Sequence, residues 1–203
     1  YMSAFLILIS YYWLIIFSTI GYGIFFNNLF LKKLDNVGFI GIYGIFSLTL
    51  FSYMVSFFMP HTKLLNSGIF LTGLVIFLIN MNKSIIKKNI NTLLSVFTIL
   101  IVFILVAKNH DDFPYYHFPY THLLTEYSNM VGLGNFNHGF RTHSSIFYLS
   151  SLLNLPYSNF YLLHLSPVFF MGFANIILYN KVLLYLDGRK ITYILYLSLF
   201  SLV

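Results

Sequence analysis

Residues 2–30, MSAFLILISYYWLIIFSTIGYGIFFNNLF, contain no charged side chain. As a helix, such a run reaches about 43 Å, more than the roughly 30 Å hydrocarbon core of a bilayer. A secretory signal would start basic and carry a shorter apolar core, so the run is read as a spanning helix. Similar runs follow at 38–59, closed by Pro60, His61 and Lys63, and at 64–80, closed by Asn82, Lys83, Lys87 and Lys88. Others lie at 93–107 and 160–186, and the run at 191–203 is too short to cross. Pro167, Gly172 and Asn175 within 160–186 predict a kink or a close helix contact.

The pattern predicts an all-α, polytopic transmembrane bundle, with 1–203 as a single helical membrane domain. The composition agrees: 59% of the residues are hydrophobic and 8% charged, where soluble domains carry roughly 25% charged residues. The chain opens on Tyr1 and stops inside an apolar run, and it is expected to be the N-terminal part of a longer protein.

Composition also excludes chemistry. With no cysteine there is no disulfide, thiolate nucleophile or cysteine-ligated metal. The net charge of +6 comes from scattered Lys and Arg without a basic, aromatic-interleaved groove, so no nucleic-acid partner is expected. The 24 Phe and 17 Tyr are what AT-rich coding produces, and they are not read as a binding platform.

Basic residues set the expected orientation. Lys32 and Lys33, then Lys83, Lys87 and Lys88, and finally Arg189 and Lys190 alternate with loops poorer in charge. The positive-inside bias makes the richer loops cytoplasmic. The N-terminus and the polar loop 108–144 then lie outside the cytoplasm. Between this loop and the fifth span, 145–156 (SIFYLSSLLNLP) is too short to cross and is expected to be a re-entrant or interfacial helix.

The loop gathers the polar chemistry. It holds three of the five acidic residues, Asp111, Asp112 and Glu126, and five of the seven histidines, His110, His117, His122, His138 and His143. Asp111 and Asp112 follow directly on a span, where a carboxylate can serve as general base or hold a divalent cation, or simply mark the water boundary. Residues 119–129 are expected to form a short amphipathic helix with Pro119 in its first turn. His122 and Glu126, four apart, are open to two readings: an acid/base couple or a surface pair. Gly132 and Gly134 predict a turn, followed by Asn137, His138, Arg141 and His143. Arg141 suits either a bidentate phosphate contact or a pairing with a loop carboxylate. The histidine spacings match no helical metal-ligand pair, and no structural zinc is expected. His61 and His164 stand apart, His164 as a satisfied histidine within a span.

The run HDDFPYYHFPYTHLLTEYSNMVGLGNFNHGFRTHSSIFYL, after four spans, resembles the first external loop of the GT-C class of polytopic glycosyltransferases. It is similar in more detail to bacterial multi-pass proteins of surface-polysaccharide type. There an acidic residue and an aromatic pair lead to a helix ending in EY and a GLGN-like turn. The matching positions are Asp111, Asp112, Tyr115, Tyr116, Glu126, Tyr127, Gly132, Leu133, Gly134 and Asn135. Here the loop follows the fourth span rather than the first, so four helices stand as an N-terminal addition.

The resemblance implies a bacterial plasma-membrane enzyme with an external active site. Its partners would be the bilayer, a polyprenyl-phosphate-sugar donor and a saccharide or lipid acceptor. Asp111 or Asp112 would deprotonate the acceptor or hold Mg or Mn, with Tyr115, Tyr116, His122, Glu126, His138, Arg141 and His143 as expected substrate contacts. The alternatives are a non-catalytic transporter or structural subunit for lipid-linked saccharides, or an O-antigen polymerase- or ligase-like protein. Within the expected spans only Lys181 is charged, which counts against coupled ion transport.

Overall fold

The computed structural model describes residues 2–30, 36–105, 111–141 and 144–186. Within them the regular elements are helical: α1 (Met2–Leu29), α2 (Val37–Ser56), α3 (Lys63–Asn80), α4 (Ser84–Leu100), α5 (Phe118–Glu126), α6 (Ser145–Leu152) and α7 (Ser166–Leu186). Five helical stretches are long and apolar enough to cross a membrane: Ala4–Leu29, Val37–Ser56, Lys63–Asn80, Ser84–Leu105 and Leu163–Leu184. The expected all-α multi-pass bundle is therefore present. The run 191–203, His110 and His143 lie outside the described residues.

Several expected boundaries move, among them the end of the helix expected over 119–129, which stops at Glu126 with Tyr127 extended. The fourth helix begins at Ser84, not near residue 93, and continues past Leu100 as a 3-10 turn to Leu105. Lys87 and Lys88 sit exposed on its early turns. A lysine near a helix end can keep its ammonium in water while its stem covers apolar surface. The fifth helix begins at Ser166 rather than 160, after turns in which Tyr157 and Asn159 have positive φ. Pro167 thus falls in the first helical turn, where it lacks no needed donor. The close contact expected at Gly172 is present, because a Cβ there would run into the Phe97 ring of α4.

Hydrocarbon gives helices little apolar driving force to associate, so small residues and backbone approach decide the contacts. At the crossing of α1 with α3, a Cβ on Gly21 would collide with the Gly73 carbonyl oxygen, and a Cβ on Gly73 with Ser18. Tyr22 donates to the Ile69 carbonyl at 2.8 Å beside this crossing. Tyr12 donates to the Phe97 carbonyl, also at 2.8 Å, and so joins α1 to α4. Gly73→Leu is expected to force α1 off α3 and to destabilise the bundle by about 3 kcal/mol or more. Thermal unfolding in detergent checks it, since an unchanged melt would mean the crossing is not as close as described.

One end of the bundle carries a cap. The His61 amide, in the α2–α3 turn, donates to the Leu124 carbonyl of α5 at 2.8 Å, and the Asn129 amide to the Ser56 carbonyl at 2.6 Å. The α2–α3 turn and the segment around α5 therefore share one side. From Phe147 to Leu155 every side chain is buried. Ser52 of α2 donates to the Tyr148 carbonyl at 2.6 Å. Thus the later part of α6 is enclosed by protein, while Ser145 at its start is exposed and Ile146 half-buried.

Candidate functional site

The cap has an aromatic core of its own, which is why so polar a stretch holds one shape. Tyr120, Leu124, Phe140, Phe147 and Tyr148 form a buried cluster, with Tyr116 and Leu133 packed on it. The Tyr120 and Tyr148 hydroxyls lie 3.0 Å apart. Burial raises both phenols above their ordinary value; hydrogen bonding to Tyr148 adds to the effect at Tyr120. Both remain neutral hydrogen-bonding groups.

Asp111 and Asp112 lead into a π-helical turn, Phe113–His117, that runs directly into α5. Pro114 falls in the first turn of this stretch, where a missing N–H costs nothing, and Pro119 falls at the passage from the π turn into α5. The wide turn places Tyr116 so that its hydroxyl donates to Asp112 Oδ2 at 3.3 Å. Partial desolvation, and then the charge and hydrogen bond of Asp112, raise the Tyr116 phenol. Tyr116 therefore keeps its proton and remains a donor to the carboxylate. Asp111 is exposed.

The second half of the loop folds back on this turn. Asn137 donates to the Tyr115 carbonyl at 3.3 Å, and its own Oδ1 accepts from the Gly139 amide at 2.9 Å. That starts the short turn His138–Phe140, where a Cβ on Gly139 would press into Tyr116. Tyr115, Tyr116, Asp112 and His138 are thereby gathered on one part of the cap, with Tyr115 and His138 exposed.

Other expected residues fall elsewhere. His122 and Glu126 form no ion pair: the His122 ring stacks on Phe118 at 5.9 Å and meets Phe160 edge-on at 5.1 Å. Glu126 is exposed at the end of α5. Aromatic packing has drawn the imidazole toward the turns that precede α7, away from its helical neighbour. Arg141 pairs with no carboxylate among the described residues, and its Nε donates to the Gly134 carbonyl at 3.1 Å. His164 is satisfied as expected, with Nε2 2.8 Å from the Phe103 carbonyl.

Among the described residues no group of three His, Asp or Glu is placed to hold a metal. A Mg or Mn ion at Asp111 and Asp112 would have at most two carboxylates, one already bonded to Tyr116, plus water and substrate oxygens. The donor set does not build a protein cage.

Two cavities border the cap. One, about 540 Å³, is an apolar recess between α2, α6 and α7, lined by Ile45, Phe46, Leu149, Pro167 and Phe170 among others. The other, about 450 Å³, is a polar cup formed by 129–135, Phe57, Phe140 and Arg141. Neither aspartate lines either cavity.

The sequence reading missed the centre that positions the cap. His61 is fully buried. Its Nε2 lies 3.0 Å from the Ser52 carbonyl and its Nδ1 2.6 Å from Ser151 Oγ. A carbonyl only accepts, so Nε2 carries the proton of the neutral ring, and the single Ser151 hydroxyl proton is shared between Nδ1 and the Tyr148 carbonyl, 2.8 Å away. Asn66 Nδ2 donates to the carbonyls of His61, Ser151 and Asn154 at 3.1, 2.9 and 3.0 Å. Burial lowers the His61 pKa, partly offset by the bond to Ser52. The Ser151–His61 contact has the reach of a nucleophile and its base, but both residues have no exposed surface and line neither cavity. It fastens α2, α3 and α6 under the loop.

A family model described as a domain of unknown function, DUF8201, matches residues 5–203. No curated protein matches the chain, and no solved structure does.

Proposed function

The chain belongs to the DUF8201 family, and from that starting point we propose that it is a membrane-embedded glycosyltransferase of cell-envelope polysaccharide or glycolipid synthesis. It takes its sugar from a polyprenyl-phosphate donor at the extracytoplasmic face of a bacterial plasma membrane. The observation that carries this reading is the Asp112–Tyr116 contact, held on a loop with its own core at the membrane boundary. In this reading Asp112 takes the proton of an acceptor hydroxyl. The oxygen then attacks the anomeric carbon, and the carbon–oxygen bond to the polyprenyl phosphate breaks, the phosphate leaving with the electron pair. Tyr115 and His138, exposed beside Asp112, are suited to contact the sugar.

The orientation has separate support. Of the eleven Lys and Arg, only Lys63, Lys108 and Arg141 fall in the sequence loops expected outside the cytoplasm, because the positive-inside bias makes the richer loops cytoplasmic. Tyr115→Cys introduces the one cysteine within residues 1–203, and its label is read against the parent protein. Modification of intact cells by an impermeant maleimide is expected; modification only after permeabilisation would remove an external active site.

The activity test uses membranes holding the full-length protein, a radiolabelled polyprenyl-phosphate sugar and an acceptor extract. Label is expected in a new glycoside. Label that crosses vesicle membranes while no glycoside forms would replace this reading with a transporter of lipid-linked saccharides.

A further inference from the structure

Between Asn109 and Asn180 the chain has a single Lys or Arg, Arg141. Its Nε is tied to the Gly134 carbonyl, and no other described residue takes a hydrogen bond from its guanidinium. That one bond orients the side chain, and Arg141 lines the polar cup together with 129–135, Phe57 and Phe140. The cup is shaped by Gly132, whose φ of 91° is a left-handed conformation that L side chains rarely adopt.

Its depth follows from a ruler within the fold. α2 has 20 residues, a length of about 30 Å, which matches the hydrocarbon thickness. Phe57, directly after α2, therefore sits at the bilayer edge. The Asn129 amide, bonded to Ser56 at 2.6 Å, pins the cup to that level. Around it the apolar side chains are unusually bare: Val131 is fully exposed, Phe136 is 87% exposed and Phe58 82%. Apolar tips beside an available guanidinium, at the height of the lipid headgroups, match a lipid carrying a phosphate. A soluble phosphate would have no use for the apolar rim.

We propose that this cup binds the phosphate of an anionic bilayer lipid in the cap-side leaflet, Arg141 taking the phosphate and the Val131 rim the start of the acyl chain. The site does not depend on sugar transfer, and it stands whether or not that activity is found.

Native mass spectrometry of the full chain in detergent, titrated with phosphatidylglycerol, tests it. Arg141→Gln is expected to weaken binding about tenfold, the scale of one charge-assisted contact. Val131→Asp is expected to weaken it as well, and Lys63→Gln, which removes the same charge on the same side, to leave it unchanged. Equal binding by Arg141→Gln overturns the proposal. So does an equal loss in Lys63→Gln, which would mean diffuse charge attraction. Displacement by equimolar inorganic phosphate, or equal binding of diacylglycerol, overturns it too. A fluorophore on Val131→Cys in nanodiscs reads depth independently of folding losses in the other variants. Quenching by headgroup-proximal spin-labelled lipids is expected, and a label in bulk water contradicts the placement.

Discussion

Asp112→Asn is expected to lower sugar transfer by about 10²–10⁴-fold, the usual contribution of a positioned general base, with membrane insertion and melting temperature unchanged. The substitution keeps the shape while it removes the charge and the ability to take a proton. Asp111→Asn should cost much less, because Asp111 is exposed whereas Asp112 is oriented by the Tyr116 hydroxyl. Tyr116→Phe separates positioning from packing: the ring still fills the space against Gly139 and Phe147, but its hydrogen bond is gone. A positioning role predicts a lower kcat with an altered acid limb of the pH–rate profile, since the base would lose the donor that favours its charged form. A purely structural role would change stability and leave that limb in place. Full transfer activity in Asp111→Asn, Asp112→Asn and the double variant together would remove the catalytic reading.

How much of this was legible in the sequence depended on whether the cause was local. The spans were legible because hydrocarbon allows only a helix or a closed barrel to cross it, and length with composition suffices. The start of α4 was not: Lys87 and Lys88 look like a loop in a hydropathy count, yet their ammonium groups can reach water from a helix. The presence of α5 was legible from Pro119 and the apolar pattern after it, but not its end, which falls at Glu126 and leaves Tyr127 extended. The Asp112–Tyr116 contact was also within reach, since the two residues are four apart around a proline-started turn. The fate of His122 was not, because Phe160, which draws it away from Glu126, is 38 residues distant in the chain.

The least legible feature is also the one whose loss should reach furthest. His61 reads as a loop residue after Pro60, and its partner Ser151 is 90 positions away. His61→Ala is expected to destabilise the protein by about 2–4 kcal/mol, from the imidazole-sized cavity together with two lost hydrogen bonds. Because His61 is fastened to Ser52, Ser151 and Asn66, the damage should centre on the cap. Limited proteolysis is expected to cut between α5 and α6 earlier than in the parent chain. A pH dependence accompanies it. Burial depresses the folded-state pKa of His61 below its ordinary value of 6.5, so the unfolded chain takes up the proton first. The stabilising difference is fully present above about pH 6.5 and is lost as pH falls through the folded value. Ser52, Ser151 and Asn66 carry no charge that would hold an imidazolium in place. Melting temperature in detergent should therefore decline on acidification below about pH 6.5, and His61→Gln, which cannot titrate, should flatten that decline. Identical melting profiles for His61→Gln and the parent chain between about pH 5 and 7.5 would place the acid sensitivity elsewhere and leave His61 only its packing role.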